Sequence, residues 1–95
     1  MITHIVCFKL KDNSPEAVHI TRNVLLGMEG RIQELQHIEV GVDVLHSERS
    51  YDLALVTKFN SLEDLQAYQV HPVHQEVIKH MSQVREASVS VDYES

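Results

Sequence analysis

Ile2-Thr3-His4-Ile5-Val6-Cys7-Phe8-Lys9-Leu10, followed at once by Lys11-Asp12-Asn13-Ser14-Pro15-Glu16, is the stretch that decides how this chain folds. Its first nine residues alternate, with Ile2, His4, Val6, Phe8 and Leu10 on one side and Thr3, Ile5, Cys7 and Lys9 on the other, which is the period of a strand. Both sides are largely apolar, so both faces of the sheet this strand joins need cover. The strand runs straight into a helix start. Ser14 is placed to accept from free amides as N-cap, Pro15 suits the first helical position, and Glu16 favours the positive end of the helix dipole.

The same N-S-x-E pattern returns at Asn60-Ser61-Leu62-Glu63, again between a strand-like run and a helix-like one. Two βαβ halves are therefore expected. The first helix carries Ala17, Ile20, Val24, Leu25 and Met28 at spacings of three and four and is expected to stop near Glu29, where Gly27 and Gly30 weaken it. After an irregular connection over residues 30–36, His37 to Leu45 alternates as a second strand. His46-Ser47-Glu48-Arg49-Ser50 makes a polar turn, and Tyr51 to Phe59 resumes strand character as the other half of a hairpin. Ser61 caps a second helix with Leu62, Leu65 and Tyr68 on one side. Pro72 lacks an amide donor and clashes with the turn before it, so this helix breaks at His71 and restarts at Pro72. Val73, Val77, Ile78, Met81 and Val84 form the next apolar stripe, and Ala87 to Tyr93 closes the chain as a fourth strand.

The order β-α-β-β-α-β predicts an α+β, ferredoxin-like domain spanning residues 1–95, with a four-stranded antiparallel sheet and right-handed crossovers that put both helices on one face. The other face then carries Ile5, Cys7, Ala54, Val56, Val89 and Val91. Its simplest cover is a second copy packed sheet to sheet, so the chain is expected to be a homodimer whose two sheets close into a dimeric α+β barrel.

The 95 residues suffice for one small domain, and 43% hydrophobic with 23% charged residues is the balance of a globular chain. A net charge of -6, with the eight basic residues scattered, argues against nucleic acid as a partner. The single cysteine suits a reducing compartment, and Ile5-Val6-Cys7-Phe8 is too short for a secretory or membrane segment. The expected location is cytoplasmic, with no membrane partner.

Nucleotide-binding glycine loops, nucleophile elbows and H-E-x-x-H are absent, which leaves histidine as the candidate chemistry, at seven in 95 residues. His4 falls on the side of the first strand that faces the helices. Its imidazole serves either as a buried group bonded to a carbonyl or as a proton-transfer group whose ordinary pKa needs little tuning. Tyr68, His71 and His74 flank the proline break. A bent backbone there aims Tyr68 and His74 toward the cleft as an acid and base pair; the plainer alternative makes Tyr68 core, His71 a helix cap and His74 a solvent-facing residue. His71-x-x-His74 across a proline is not a helical ligand pair, and Cys7 lies on the opposite face from His4, so no metal site is expected.

The chain resembles the stress-responsive α/β-barrel (Dabb) domain family of the dimeric α+β barrel superfamily. The resemblance is carried by His4-Ile5-Val6-Cys7-Phe8-Lys9, Ile38-Glu39-Val40-Gly41, Tyr51-Asp52-Leu53-Ala54-Leu55-Val56, Leu65 to His74 with its Tyr-x-x-His-Pro-x-His stretch, and Val91-Asp92-Tyr93. It implies a cofactor-free homodimer, in many members known only as stress-associated, binding a small organic molecule between sheet and helices. A plant polyketide cyclase of the family implies an alternative, an enzyme of aldol or lyase type in which Tyr68 and His74 carry acid and base work and His4 is a further pocket residue. Leu53 here replaces another pocket histidine of that cyclase, and Val77-Ile78 replace a Phe-Gly pair, so Ile78 narrows the cleft. The pocket expected on this basis takes in Val6, Phe8, Val24, Met28, Ile38, Leu53, Leu55, His71, Val77 and Ile78. Cofactor-independent monooxygenase chemistry is a fold analogy only, and a domain that dimerises and binds nothing is the structural alternative.

Overall fold

The two serine caps organise the chain. In the computed structural model, which describes residues 1–95, Ser14 accepts from the amide of Ala17 at 3.3 Å and Ser61 from that of Asp64 at 3.1 Å. Each cap stands between a strand and the helix it feeds: β1 (Ile2–Leu10) leads to α1 (Pro15–Leu26), and, after β2 (His37–Val42), β3 (Leu53–Phe59) leads to α2 (Leu62–Val70). A third helix, α3 (Pro72–Val84), follows the proline break, and β4 (Arg85–Glu94) ends the chain. Ser61→Ala removes the acceptor for one free amide of α2 and is expected to cost about 1 kcal/mol, read as a shift in the urea unfolding midpoint.

The sheet has the order β2-β3-β1-β4 with every neighbouring pair antiparallel. Register assigns the faces. Val6 stands opposite Leu55 and Ser90, whereas Cys7 stands opposite Ala54 and Val89, and opposed residues share a face. The inner face therefore holds His4, Val6 and Phe8 with Leu53, Leu55 and Thr57. The outer holds Ile5, Cys7, Ala54, Val56, Val89 and Val91, as the alternation predicts. The helices cover the inner face only, around a core that includes Leu25, Met28, Phe59, Leu65 and Tyr68. None of them is long and apolar enough to cross a membrane.

Several local expectations need correction. The first helix ends at Leu26, not near Glu29; turns carry the chain on, and Gly30 takes a φ of 77°, a left-handed conformation that favours glycine. The buried stripe of α1 is Val18, Thr21 and Leu25, while Ile20 is exposed: the helix is rotated by about one residue from the expected phase, because a buried threonine hides part of the stripe from a purely apolar pattern. Leu62, expected on the buried side of α2, lies in its first turn and is exposed. The second strand stops at Val42, three residues early, since Asp43 accepts from the amide of His46 (2.7 Å) and His46 adopts a left-handed φ of 57°, folding the chain into a turn that leaves Val44 and Leu45 exposed. The third strand starts at Leu53 instead of Tyr51. Asp52 clasps the end of β1 instead, its amide donating to the Phe8 carbonyl and its carboxylate accepting from the Leu10 amide, both at 2.8 Å.

Candidate functional site

The break at Pro72 builds the roof of the site. The amide of Val73 has no helical acceptor, and the Nδ1 atom of His71 accepts it at 3.1 Å, so His71 acts as the cap. His74, in the first turn of α3, places its Nδ1 3.1 Å from the carbonyl of Gln69 in α2. A carbonyl only accepts, so Nδ1 carries the proton, and Nε2 remains as the basic nitrogen. The ring lies 4.2 Å, centroid to centroid, from that of Tyr68. The kink thus brings together the rings of two side chains on separate helices.

Tyr68 itself lies deeper than the acid and base reading requires. It has no exposed surface, its ring stands 4.8 Å from Phe59, and its hydroxyl donates to the sulfur of Met28 at 3.8 Å. Burial pushes its phenol well above the usual range, so it stays protonated. Burial also pushes His74 below its ordinary value; the Gln69 carbonyl opposes this, and the nearby His4 and His71 reinforce it. His74 is accordingly neutral near pH 7, the form that accepts a proton.

The floor comes from β1 and β4. Their antiparallel pairing sets Asp92 directly opposite His4, and the Nδ1 of His4 pairs with the Asp92 carboxylate. His4 is nearly buried while Asp92 remains partly exposed to water. The carboxylate orients the ring and turns Nε2 into its free nitrogen.

Between roof and floor lies a cavity of about 320 Å³. His4, Val6 and Phe8 of β1, Met28 beyond α1, and His74, Val77 and Ile78 of α3 all line it, so these expected residues converge. Tyr68, Val24, Ile38, Leu53, Leu55 and His71 do not line it. Leu53 and Leu55 are almost fully buried in the core, against which Val24 and Ile38 also pack, so that side of the layer is filled and the space opens toward β4. The pattern reading missed Leu25 and Met81 as lining residues, and with them Arg85, Ser88, Val89 and Ser90 along β4 and the Asp92 partner of His4. The alternation of β4 was visible in the chain, but its register against β1 was not.

This antiparallel sheet, with helices on one face and an imidazole-flanked cleft between the layers, defines an α+β protein of the ferredoxin-like class. The profile of the stress responsive A/B barrel domain, Dabb, matches residues 2–95, and the chain belongs to that family. A stress-response A/B barrel domain-containing protein of Arabidopsis thaliana is 29% identical over 105 residues covering 98% of this chain. The chain spans 46% of that protein's length, about half. Among solved structures, a dimeric protein of ferredoxin-like fold from Bacteroides fragilis is 31% identical, with 99% of this chain and 95% of that one covered and a TM-score of 0.83. A dimeric ferredoxin-like protein from Thermobifida fusca is 26% identical, with 99% and 90% covered and a TM-score of 0.87.

Proposed function

We propose that this chain is a homodimeric A/B barrel protein that takes up a small organic molecule, without a cofactor, in the cleft between sheet and helices. The observation that carries the reading is the cavity. Its volume of about 320 Å³ and mostly apolar wall, with His4 and His74 as fixed polar points, match the lower end of pockets that hold organic ligands, roughly 300–1,000 Å³. The outer sheet face supports the dimer: Val89, Val91 and Tyr93 are 52%, 53% and 46% exposed, beside Ile5 and Cys7, and an apolar face of this extent calls for a partner. The dimeric relatives from Bacteroides fragilis and Thermobifida fusca add to that support. Titrating the labelled protein with small aromatic ketones and 2-pyrones while recording amide NMR spectra tests the cleft. Shifts confined to β1, α3 and β4 are expected, and an unchanged spectrum with every compound overturns the reading.

The His74 geometry favours a second reading, as an enzyme for aldol-type chemistry. Neutral His74 takes a proton from a carbon between carbonyl groups, the carbanion closes on a second carbonyl carbon, and the alkoxide so formed takes the proton back from the His74 imidazolium. The His4–Asp92 pair orients the substrate, and Tyr68, buried behind His74, supports its ring. His74→Ala is expected to keep the fold and lower turnover of a β-polyketide substrate by about a hundredfold or more. Lost stability with no turnover to lose in the parent marks His74 as structural instead.

A further inference from the structure

The cleft is not uniform in charge. Its wall along β4 carries Ser88, Ser90 and Arg85, and Arg85 is the only lysine or arginine that lines it. The guanidinium has no acidic partner: the two ion pairs of the chain are His4–Asp92 and His46–Asp43, and the side-chain bond of Arg85 goes to the hydroxyl of Ser88 at 3.3 Å. None of the eight lysines and arginines is in an ion pair; what sets Arg85 apart is its place on the wall of an apolar cavity with no carboxylate in its lining. No aspartate or glutamate lines the cavity, and its other end holds His4, whose Nδ1 is taken up by Asp92. Ser88 and Asp92 are four residues apart on one strand, about 13 Å, so the cationic mouth and the His4 that Asp92 holds are separated by roughly the length of a substituted aromatic ring.

We propose that the ligand of this cleft is an organic acid, its apolar body against Val77, Ile78 and Met81 and its carboxylate met by the Arg85 guanidinium with the Ser88 and Ser90 hydroxyls beside it. The assignment rests on the reading of the cavity as a ligand site and adds the class of molecule. A planar guanidinium suits a carboxylate because two parallel N–H donors meet its two oxygens. The carboxylate at the β4 mouth directs the other end of the molecule toward His4 and His74.

Two probes that share a body and differ in one group test this: 4-butylbenzoate and 4-butylbenzyl alcohol, titrated by amide NMR into the wild-type protein, Arg85→Gln and Arg85→Lys. Arg85 is exposed, and its backbone bond to Met81 survives substitution, so the variants are expected to fold, with circular dichroism as the check. The wild type is expected to bind the benzoate about fivefold more tightly than the alcohol, an effect of the size that a half-solvated ion pair supports and that salt weakens. Arg85→Gln removes that preference without changing the affinity for the alcohol, and Arg85→Lys keeps part of it. Equal affinity for both probes in the wild type, or a preference that persists in Arg85→Gln, overturns the organic-acid assignment and leaves the ligand cleft standing. If neither probe shifts the cleft amides, the organic-acid assignment falls; the cleft reading falls with it only if the aromatic ketones and 2-pyrones also leave the spectrum unchanged.

Discussion

Tyr68→Ala is expected to destabilise the protein by about 3–5 kcal/mol, the range for emptying a core position of an aromatic ring. The ring has no exposed surface and meets Phe59 at 4.8 Å and His74 at 4.2 Å, with His4 edge-on at 6.3 Å. Removing it opens a hole in the core under the proline break, among Met28, Phe59 and His74. Set against a total stability of roughly 5–15 kcal/mol for a domain of this kind, the loss leaves the variant near its unfolding threshold. Tyr68→Phe keeps the ring and deletes only a long bond to the Met28 sulfur, so its cost is expected to stay within about 1 kcal/mol. Urea unfolding followed by circular dichroism compares the two. If Tyr68→Ala unfolds within about 1 kcal/mol of the parent, Tyr68 is not the post that holds the kink. The same pair bears on the enzymatic reading, because a tyrosine that only supports His74 keeps turnover as phenylalanine, whereas one that donates its proton loses it.

Val91→Asp is expected to split the proposed dimer. Val91 stands opposite Ile5 on the outer sheet face, 53% exposed in the single chain, so the folded chain tolerates a carboxylate there in water. Between two stacked sheets the same carboxylate stands beside Ile5, with Val56 next across the sheet, and a two-fold axis brings in two of them. An unpaired charge at such a site costs about 3–5 kcal/mol or more, which weakens association roughly a hundred- to a few-thousandfold. Sedimentation equilibrium at micromolar concentration should show the mass fall from dimer to monomer while circular dichroism stays unchanged. A wild-type protein that sediments as a single chain removes the barrel from the account.

Much of this architecture was legible along the chain because it depends on neighbours in sequence. Ser14 and Ser61 cap their helices through the amides three residues on, and Pro72 breaks the helix because of its own ring. The alternation from Ile2 to Leu10 fixes which side chains lie together on each face of β1, and two apolar sides in one strand require two covers. Tyr68 and His74 were legible as a pair for the same reason, since the kink between them is local.

The chemistry of the cleft was not legible in that way. Whether Asp92 stands opposite His4 depends on the register between strands at opposite ends of the chain, and a slip of one residue moves every side chain of β4 to the other face. That register follows from packing the whole inner layer, as does the phase of α1, where Thr21 is buried and Ile20 is not. Capping and alternation are settled within a few residues, by sterics and hydrogen bonds that every chain carrying those residues obeys. The His4–Asp92 pair, the Arg85 mouth and the side on which the cavity opens exist only after distant segments have been pressed together, and the energy that selects them belongs to the packed core as a whole.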